Sequence, residues 1–240
     1  MAVWRSAWTR AILGVSIALF FCTANSAQES ASARVIRLVD AAVAARVEHV
    51  LGFTDTERYS VFRGNDESHP VAQMTVRDTY KKGVGKSYVV LSESGSSIAL
   101  RFGLKPLLQN ETNINLPGNV EKSWFTSANF KMNLKSPGVQ KLNERDCSAL
   151  EVTPRQKAPN MIAGTLWVDA HDGSIVQIDG VASKSPSVFA GTTHMTRQYT
   201  NIMGFPMATH ARAESNSSLF GRTVVTIDYS NYELEIKTGK

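Results

Sequence analysis

The sequence predicts a mainly β protein with a large antiparallel sheet preceded by one helix, and three observations lead to this fold class. Two strand-like runs, Thr165–Val168 and Ser174–Ile178, flank a turn that ends in Asp172-Gly173. An Asp-Gly pair between β-branched runs is a strong hairpin pattern, because the turn needs a positive φ at which Gly has no Cβ penalty. More hairpin patterns follow up to Tyr232, and Ala31–Leu51 has the apolar spacing of an amphipathic helix.

Residues 1–27 have the composition of an export signal peptide. Arg5 and Arg10 form a positive start without an acidic residue, and Ala11–Phe21 is an apolar run too short to span a bilayer. Small residues then lead to Ala27, after which cleavage fits; cleavage one or three residues earlier, or a retained anchor, are the alternatives. Phe directly before Cys22 argues against a lipid attached to that cysteine. We expect an exported, periplasmic protein without a stable membrane anchor.

Residues 28–240 are predicted to form one domain. An apolar content of 42% is enough for a core, and single all-β domains often reach this length. The net charge falls from +5 to +3 when Arg5 and Arg10 leave with the signal peptide. The remaining basic residues are scattered rather than clustered in a stripe, so nucleic acid is not an expected partner.

Along the domain, one helix is followed mostly by strands. The helix Ala31–Leu51 has a plausible stop at Gly52. Turn residues separate the strand-like runs. The predicted strands are Thr56–Arg63, Val71–Tyr80, Lys86–Ser92, Trp124–Thr126, Asn129–Leu134, Cys147–Thr153, Thr165–Val168, Ser174–Ile178, Thr193–Ile202, Met207–Ser215 and Thr223–Tyr232.

The segment Ser97–Leu108 fits either a helical or a strand period, and Pro106 interrupts a helix. We favour a short or broken helix that packs as a lid, followed by a loop over Asn110–Asn119.

No pattern in the chain predicts catalysis, a cofactor or a metal site. Gly83-Val-Gly-Lys-Ser87 lacks the upstream Gly and the following helix of a phosphate-binding loop, so a hairpin turn is the better interpretation. The five His residues lack zinc-ligand spacing, and Asp169, Asp172 and Asp179 lack calcium-loop spacing. Cys147 is the only cysteine after the signal peptide, and we expect it to be a buried structural thiol.

Aromatic and Met side chains are the remaining candidates for function. They fit either a packed core or an apolar hollow that holds an acyl chain, since Met adapts its shape and aromatic rings provide wide apolar faces. The candidates for the hollow are Trp124, Phe130, Met132, Trp167 and Met195. We expect Trp167 to join Phe130 and Met132, although the strand alternation does not decide which face Trp167 occupies.

The chain resembles the periplasmic lipoprotein-carrier superfamily, the LolA/LolB-like outer-membrane lipoprotein-sorting proteins. The features that carry the resemblance are the signal peptide, the N-terminal helix, the long meander and Leu166-Trp-Val-Asp169 before an Asp-Gly turn. Arg197–Pro206 and Thr226–Tyr232 are similar to later strands of that group. The resemblance spans about Ala33 to Ile236.

The resemblance implies a curved antiparallel half-barrel whose concave side is covered by the N-terminal helix and a short lid helix. In that family the hollow holds the acyl chains of a lipoprotein, and an Arg on an early strand helps to hold the lid. Arg58 and Arg63 both fit that position here. The resemblance therefore implies a non-catalytic periplasmic carrier or sensor of lipid or lipoprotein acyl chains. The alternative is an envelope protein-interaction module with a filled core and no lipid ligand.

Overall fold

The structure is a computed structural model that describes residues 29–158, 161–184, 192–217 and 221–238. The predicted signal peptide, residues 1–27, lies outside the described residues. The helices are α1 (Ala31–His49), α2 (Ser97–Ala99), α3 (Lys105–Ile114) and α4 (Val120–Ser123), with a π-helical turn at Leu100–Leu104. The strands are β1 (Val50–Arg63), β2 (Ala72–Lys81), β3 (Gly85–Gly95), β4 (Phe130–Leu134), β5 (Gln140–Leu142), β6 (Arg145–Pro154), β7 (Ile162–Asp169), β8 (Ile175–Ala182), β9 (Thr193–Ile202), β10 (Phe205–Ser217) and β11 (Gly221–Ile236).

Helix α1 is capped at its start by Ser30, whose hydroxyl accepts a hydrogen bond from the Ala33 N–H at 3.1 Å. This bond satisfies one of the N–H groups that the first turn leaves without a partner inside the helix. The helix prediction is confirmed except at its end. The chain passes into β1 directly at Val50, and Gly52 lies inside that strand rather than ending the helix.

The strands of the described residues form one open, curved antiparallel sheet in the order β3-β2-β1-β11-β10-β9-β8-β7-β6-β4, with β5 also pairing with β6. Most neighbours in this sheet are consecutive in sequence, as in a meander, and the last strand returns to pair with β1. One edge is β3, and the other is formed by β4 and the short β5, which both pair with β6. The predicted mainly β fold class with a curved half-barrel sheet is confirmed.

The register places the large buried side chains on one face of the sheet. Tyr59 pairs with Met74 on one side and Ile227 on the other, and the same row continues through Ala211, Arg197, Ile178, Leu166 and Leu150. Side chains that face each other across paired strands share a face. The row therefore runs along the concave face, and it includes the charged residues Arg197 on β9 and Glu93, which pairs with Met74, on β3.

Two apolar clusters fill this concave face. The first, here the lid cluster, joins Tyr59, Met74 and Val76 of the sheet to Leu104 and Leu108 of the segment Ser97–Ile114, which we call the lid. The second, here the α1 cluster, packs α1 against the other half of the sheet. It includes Val39, Phe130, Met132, Val152, Leu166, Val168 and Ile178.

The lid is a broken helix, as the sequence predicts. α2, the π-helical turn and α3 follow one another without a gap from Ser97 to Ile114. The predicted loop over Asn110–Asn119 is wrong in its first half, because α3 continues to Ile114 and Thr112 donates its hydroxyl to the Leu108 carbonyl at 3.1 Å. The predicted strand Trp124–Thr126 is also wrong: these residues connect α4 to β4. No helix in the described segments is both long and apolar enough to cross a bilayer.

Candidate functional site

The candidate site lies on the concave face where α1 approaches residues 115–126, the segment that follows the lid and contains α4. Trp124, in the connection after α4, stands between a small cavity and a more open pocket. The cavity has a volume of about 120 Å³ and the pocket about 430 Å³. They share Val47, Lys82 and Trp124 as lining residues. The cavity is further lined by Arg46, Val50, Phe53, Tyr80, Gly83, Gly85, Asn115, Pro117, Val120 and Glu121. We call this cavity the Trp124 cavity.

The Trp124 cavity has an aromatic wall and a cationic side. The ring of Phe53 stacks on Tyr80 with centroids 5.2 Å apart and tilts against Tyr232 at 5.9 Å. Arg46 of α1 donates to the Pro206 carbonyl at 3.3 Å. Among the residues that the structure describes, no carboxylate lies within 4 Å of its guanidinium, and burial lowers the pKa of Arg46. The cavity therefore combines apolar surface with a cation that forms no ion pair within the described part of the chain, and Glu121 is the carboxylate in its lining.

Four of the five predicted lipid-contacting residues lie on the helix-covered side of the sheet. Phe130 is fully buried and Met132 is 8% exposed, both within the α1 cluster. Met195 is half-buried and packs against that cluster, whereas Trp124 lines the cavity. Phe130 and Met132 are thus core residues in this conformation, and Trp124 is the candidate with access to open space.

Trp167 lies on the other face. Its neighbours Leu166 and Val168 are fully buried in the α1 cluster, and side chains alternate along a strand. Trp167 pairs with Ala149 and Gln177, outside the row that carries the core. The structure therefore does not bring Trp167 together with Phe130 and Met132, and the expectation that it joins them is wrong.

The two Arg residues proposed to hold the lid also lie away from the lid cluster. Arg58 alternates with buried Tyr59, points to the opposite face and pairs with Asp228 at 3.2 Å. Arg63 is exposed at the last position of β1, in register with Thr223. Two other cations reach the lid: Lys86 of β3 and Arg197 of β9 each lie 3.7 Å from the Glu111 carboxylate of α3. Sequence reasoning did not find these contacts, because the partners are far apart along the chain.

A buried polar group adjoins the lid cluster. Asp55, Glu57 and Asp78 are 2%, 1% and 1% exposed. Lys86 places its ammonium 2.7 Å from Glu57 and in contact with Asp78, and the Tyr59 hydroxyl donates to Glu57. Burial alone would lower the pKa of Lys86, but the charges of Glu111 and Glu57 outweigh it and raise that pKa. Lys86 is therefore a firmly charged centre of this group.

Cys147 is buried at 0% exposure, as the sequence predicts, and burial raises the pKa of its thiol. A neutral buried thiol is a poor nucleophile. Cys147 is therefore poorly suited to act as a nucleophile in this conformation.

No family model and no curated protein matches this chain. Its fold is similar to three solved structures. A LolA superfamily protein from Nitrosomonas europaea shares 12% identity at a TM-score of 0.45, over 86% of this chain and 94% of that one. A putative outer membrane lipoprotein-sorting protein domain from Vibrio parahaemolyticus shares 13% identity at a TM-score of 0.49, over 83% of this chain and 92% of that one. A DUF1329 family protein from Desulfovibrio piger shares 16% identity at a TM-score of 0.43, over 85% of this chain and 95% of that one. The first two are the kinds of protein that the sequence resemblance names, and similarity at this level carries no conclusion about function.

Proposed function

We propose that this protein is an exported periplasmic carrier or sensor that binds lipid, or the acyl chains of a lipoprotein, without catalysing a reaction. The observation that supports this most is the division of the concave face. Its apolar side chains form two clusters covered by two separate helical pieces, α1 and the lid, and open space remains beside Trp124.

The energetic reason for such a hollow is the cost of exposing an acyl chain to water. The transfer of each CH₂ group from water to an apolar site is favourable by about 0.8 kcal/mol of free energy. A protein that covers the chain removes most of this cost without forming a covalent bond. Affinity must stay moderate, because cargo that is bound too tightly is not passed on.

The described conformation is a closed one. A cavity of about 120 Å³ holds only a short stretch of an acyl chain, and the rest of the concave face is filled by side chains of α1 and the lid. Cargo therefore enters when the lid moves away from the sheet. The lid is suited to such movement, because it is broken by a π-helical turn and its Phe102 is 70% exposed.

The cationic side of the Trp124 cavity favours an amphiphile with an anionic group. Glu121 also lines the cavity, but no carboxylate of the described residues lies within 4 Å of the Arg46 guanidinium, and Lys82 lines both the cavity and the open pocket. A phosphate or carboxylate head group beside Arg46 would supply the missing counter-charge, with its apolar tail against Phe53 and Trp124.

A second function, a protein-interaction module, is supported by the edge strand β3. Val89, Leu91 and Val90 of this strand are 65%, 54% and 40% exposed, and β3 has a neighbour on one side only. An exposed apolar edge strand can pair with a strand of another protein. The nearby lid adds exposed Ile98 and Phe102.

Native mass spectrometry of gently purified protein separates the two functions. A carrier is expected to retain lipid, seen as extra mass that organic extraction removes, and the Trp124→Ala variant is expected to retain less. The Trp167→Ala variant is the matched control, because it removes the same side chain from the other face. Lipid-free wild-type protein that binds no added lipid would contradict the carrier and favour the interaction module.

A further inference from the structure

The acidic group formed by Asp55, Glu57 and Asp78 has a geometry that the proposed carrier function does not use. Asp55 and Asp78 are opposite each other in the register of β1 and β2, and Glu57 lies two residues further along the same face of β1. One carboxylate oxygen from each residue lies within 4.8 Å of the other two. We call these three residues the acidic cluster.

Asp55 is the member of the acidic cluster without a partner. It is 2% exposed, and neither of its carboxylate oxygens has a hydrogen-bond partner in the described part of the chain. Tyr232 is close, but its hydroxyl donates its one hydrogen to the Ala208 carbonyl at 2.9 Å. Glu57 and Asp78, in contrast, both contact Lys86. A buried carboxylate without a partner is costly, so a group that would pair with Asp55 gains free energy by binding.

The charges around Asp55 are not balanced. The charged and titratable groups that face it are Glu57 on its own strand, Asp78 on β2, Lys86 on β3, Glu111 on α3 and Tyr232 on β11. Asp55 and these groups together contain four carboxylates, and the nearby cations are Lys86 and Arg197, which lies 3.7 Å from Glu111. When all four carboxylates are ionised, the group has a net charge of two negative units, which one divalent cation would balance.

We propose that Asp55, Glu57 and Asp78 bind a calcium ion, with Glu111 of the lid supplying a fourth carboxylate. Calcium takes six to eight oxygen ligands at about 2.3–2.6 Å, and two oxygens bound to one ion are then at most about 4.6–5.2 Å apart. The spacing of the acidic cluster is within that limit. The cluster is made of oxygen donors without His or Cys, which suits a hard cation rather than zinc or copper.

Lys86 is the internal competitor for this site. Its ammonium occupies the position between Glu57 and Asp78, and calcium binds there only when the ammonium moves aside. Glu111 lies 3.7 Å from the same ammonium and offers it another carboxylate partner. Calcium would therefore connect the lid to β1 and β2 through carboxylates, in place of the contacts that Lys86 makes.

The test is a calcium titration of full-length, chelator-treated protein at pH 7.5. Calorimetry measures the binding, and the melting temperature is measured with and without calcium. The structure predicts one bound calcium and a higher melting temperature for the wild type. Asp55→Asn should weaken binding by about tenfold or more. The matched control Asp228→Asn makes the same change on the opposite face, beside Arg58, and should bind as the wild type does.

Lys86→Met provides a change of opposite sign, because removing the competing ammonium should tighten calcium binding. Should that variant fail to fold, Asp55→Asn and Asp228→Asn still decide the question. The proposal is overturned if the wild type binds no calcium at millimolar concentration, or if Asp55→Asn binds it as tightly as the wild type. Neither result depends on lipid, so the calcium site and the carrier function are tested independently of each other.

Discussion

At the residue scale, Asp55 makes the stability of this protein depend on pH between about pH 4 and pH 7. Burial and the nearby Glu57 raise its pKa from 3.8 to about 7. Between these values the folded state keeps the proton that the unfolded state releases, so the free energy of unfolding decreases as the pH rises. The destabilising effect is absent below about pH 4 and complete above about pH 7.

The first prediction is that Asp55→Asn stabilises the protein at pH 8 and has little effect at pH 4. Asn has the shape of the protonated acid and never carries its charge. A pKa difference of about three units corresponds to an upper limit of about 4 kcal/mol, and a gain of about 1–3 kcal/mol is expected. Urea unfolding in chelator at both pH values measures it. An effect of the same size at pH 4 and pH 8 would show that Asp55 does not titrate in this range.

The second prediction concerns Cys147, which is fully buried and has a raised pKa. A disulfide reagent should modify this thiol slowly in the folded protein and rapidly in urea, since the thiolate is the reactive form and must be accessible. Cys147→Ser should keep the binding activity and cost at most a few kcal/mol of stability. Rapid labelling of the folded protein would contradict this account.

At the element scale, the hairpin between β7 and β8 is also the contact point of α1. Gly173 in its turn has φ +76°, and a Cβ added there would lie 2.4 Å from the backbone carbon of Leu38. Asp172-Gly173 thus serves two purposes. It makes the turn that the sequence predicts, and it lets the backbone of α1 approach the sheet.

The third prediction compares Gly173→Ala with Gly204→Ala. Both glycines have a positive φ, but a Cβ at Gly204 would meet nothing within 4 Å. Gly204→Ala should cost about 1 kcal/mol from backbone strain alone. Gly173→Ala should cost more, because α1 must also move away from the turn. Equal losses in the free energy of unfolding, measured in denaturant, would mean that α1 does not rest on this hairpin.

The elements that local patterns determine were predicted well. Thr193–Ile202 is β9 at the predicted bounds, and the broken lid helix follows from Pro106 and the apolar spacing around it. The strand predicted at Trp124–Thr126 failed because these residues are fixed by tertiary contacts. Asp40 of α1, for example, accepts hydrogen bonds from the backbone and the hydroxyl of Ser127.

The candidate site was predicted only in part, for a similar reason. Aromatic and sulfur-bearing side chains stand out in a sequence, and of those predicted, Trp124 lines the cavity whereas Phe130 and Met132 pack in the α1 cluster. Alternation within β7 shows that Trp167 and Leu166 lie on opposite faces of the sheet, but it does not show which face α1 covers. The face that Trp167 occupies could therefore not be predicted. The polar group around Lys86 was missed because β1, β2, β3 and α3 each contribute separate residues. A sequence pattern that could have indicated this group is the pair of carboxylates two residues apart in one strand, Asp55 and Glu57.

At the scale of the whole molecule, the concave face has both apolar and charged regions. Apolar clusters lie under α1 and under the lid, and a charged region lies between them around Glu111, Lys86 and Arg197. Apolar packing holds the lid against the sheet, and the polar contacts of Glu111 with Lys86 and Arg197 are long, at 3.7 Å each. The central claim is that this closed face opens to accept an acyl chain.

The measurement that tests this claim most directly is the titration of lipid-stripped protein with a fluorescent acyl probe. The account predicts binding at tens of micromolar or tighter, displacement by fatty acyl ligands, and binding weakened by Trp124→Ala but not by Trp167→Ala. If the wild type binds no probe at such concentrations, or if the two Trp variants lose it equally, the hollow beside Trp124 is not the site of an acyl chain.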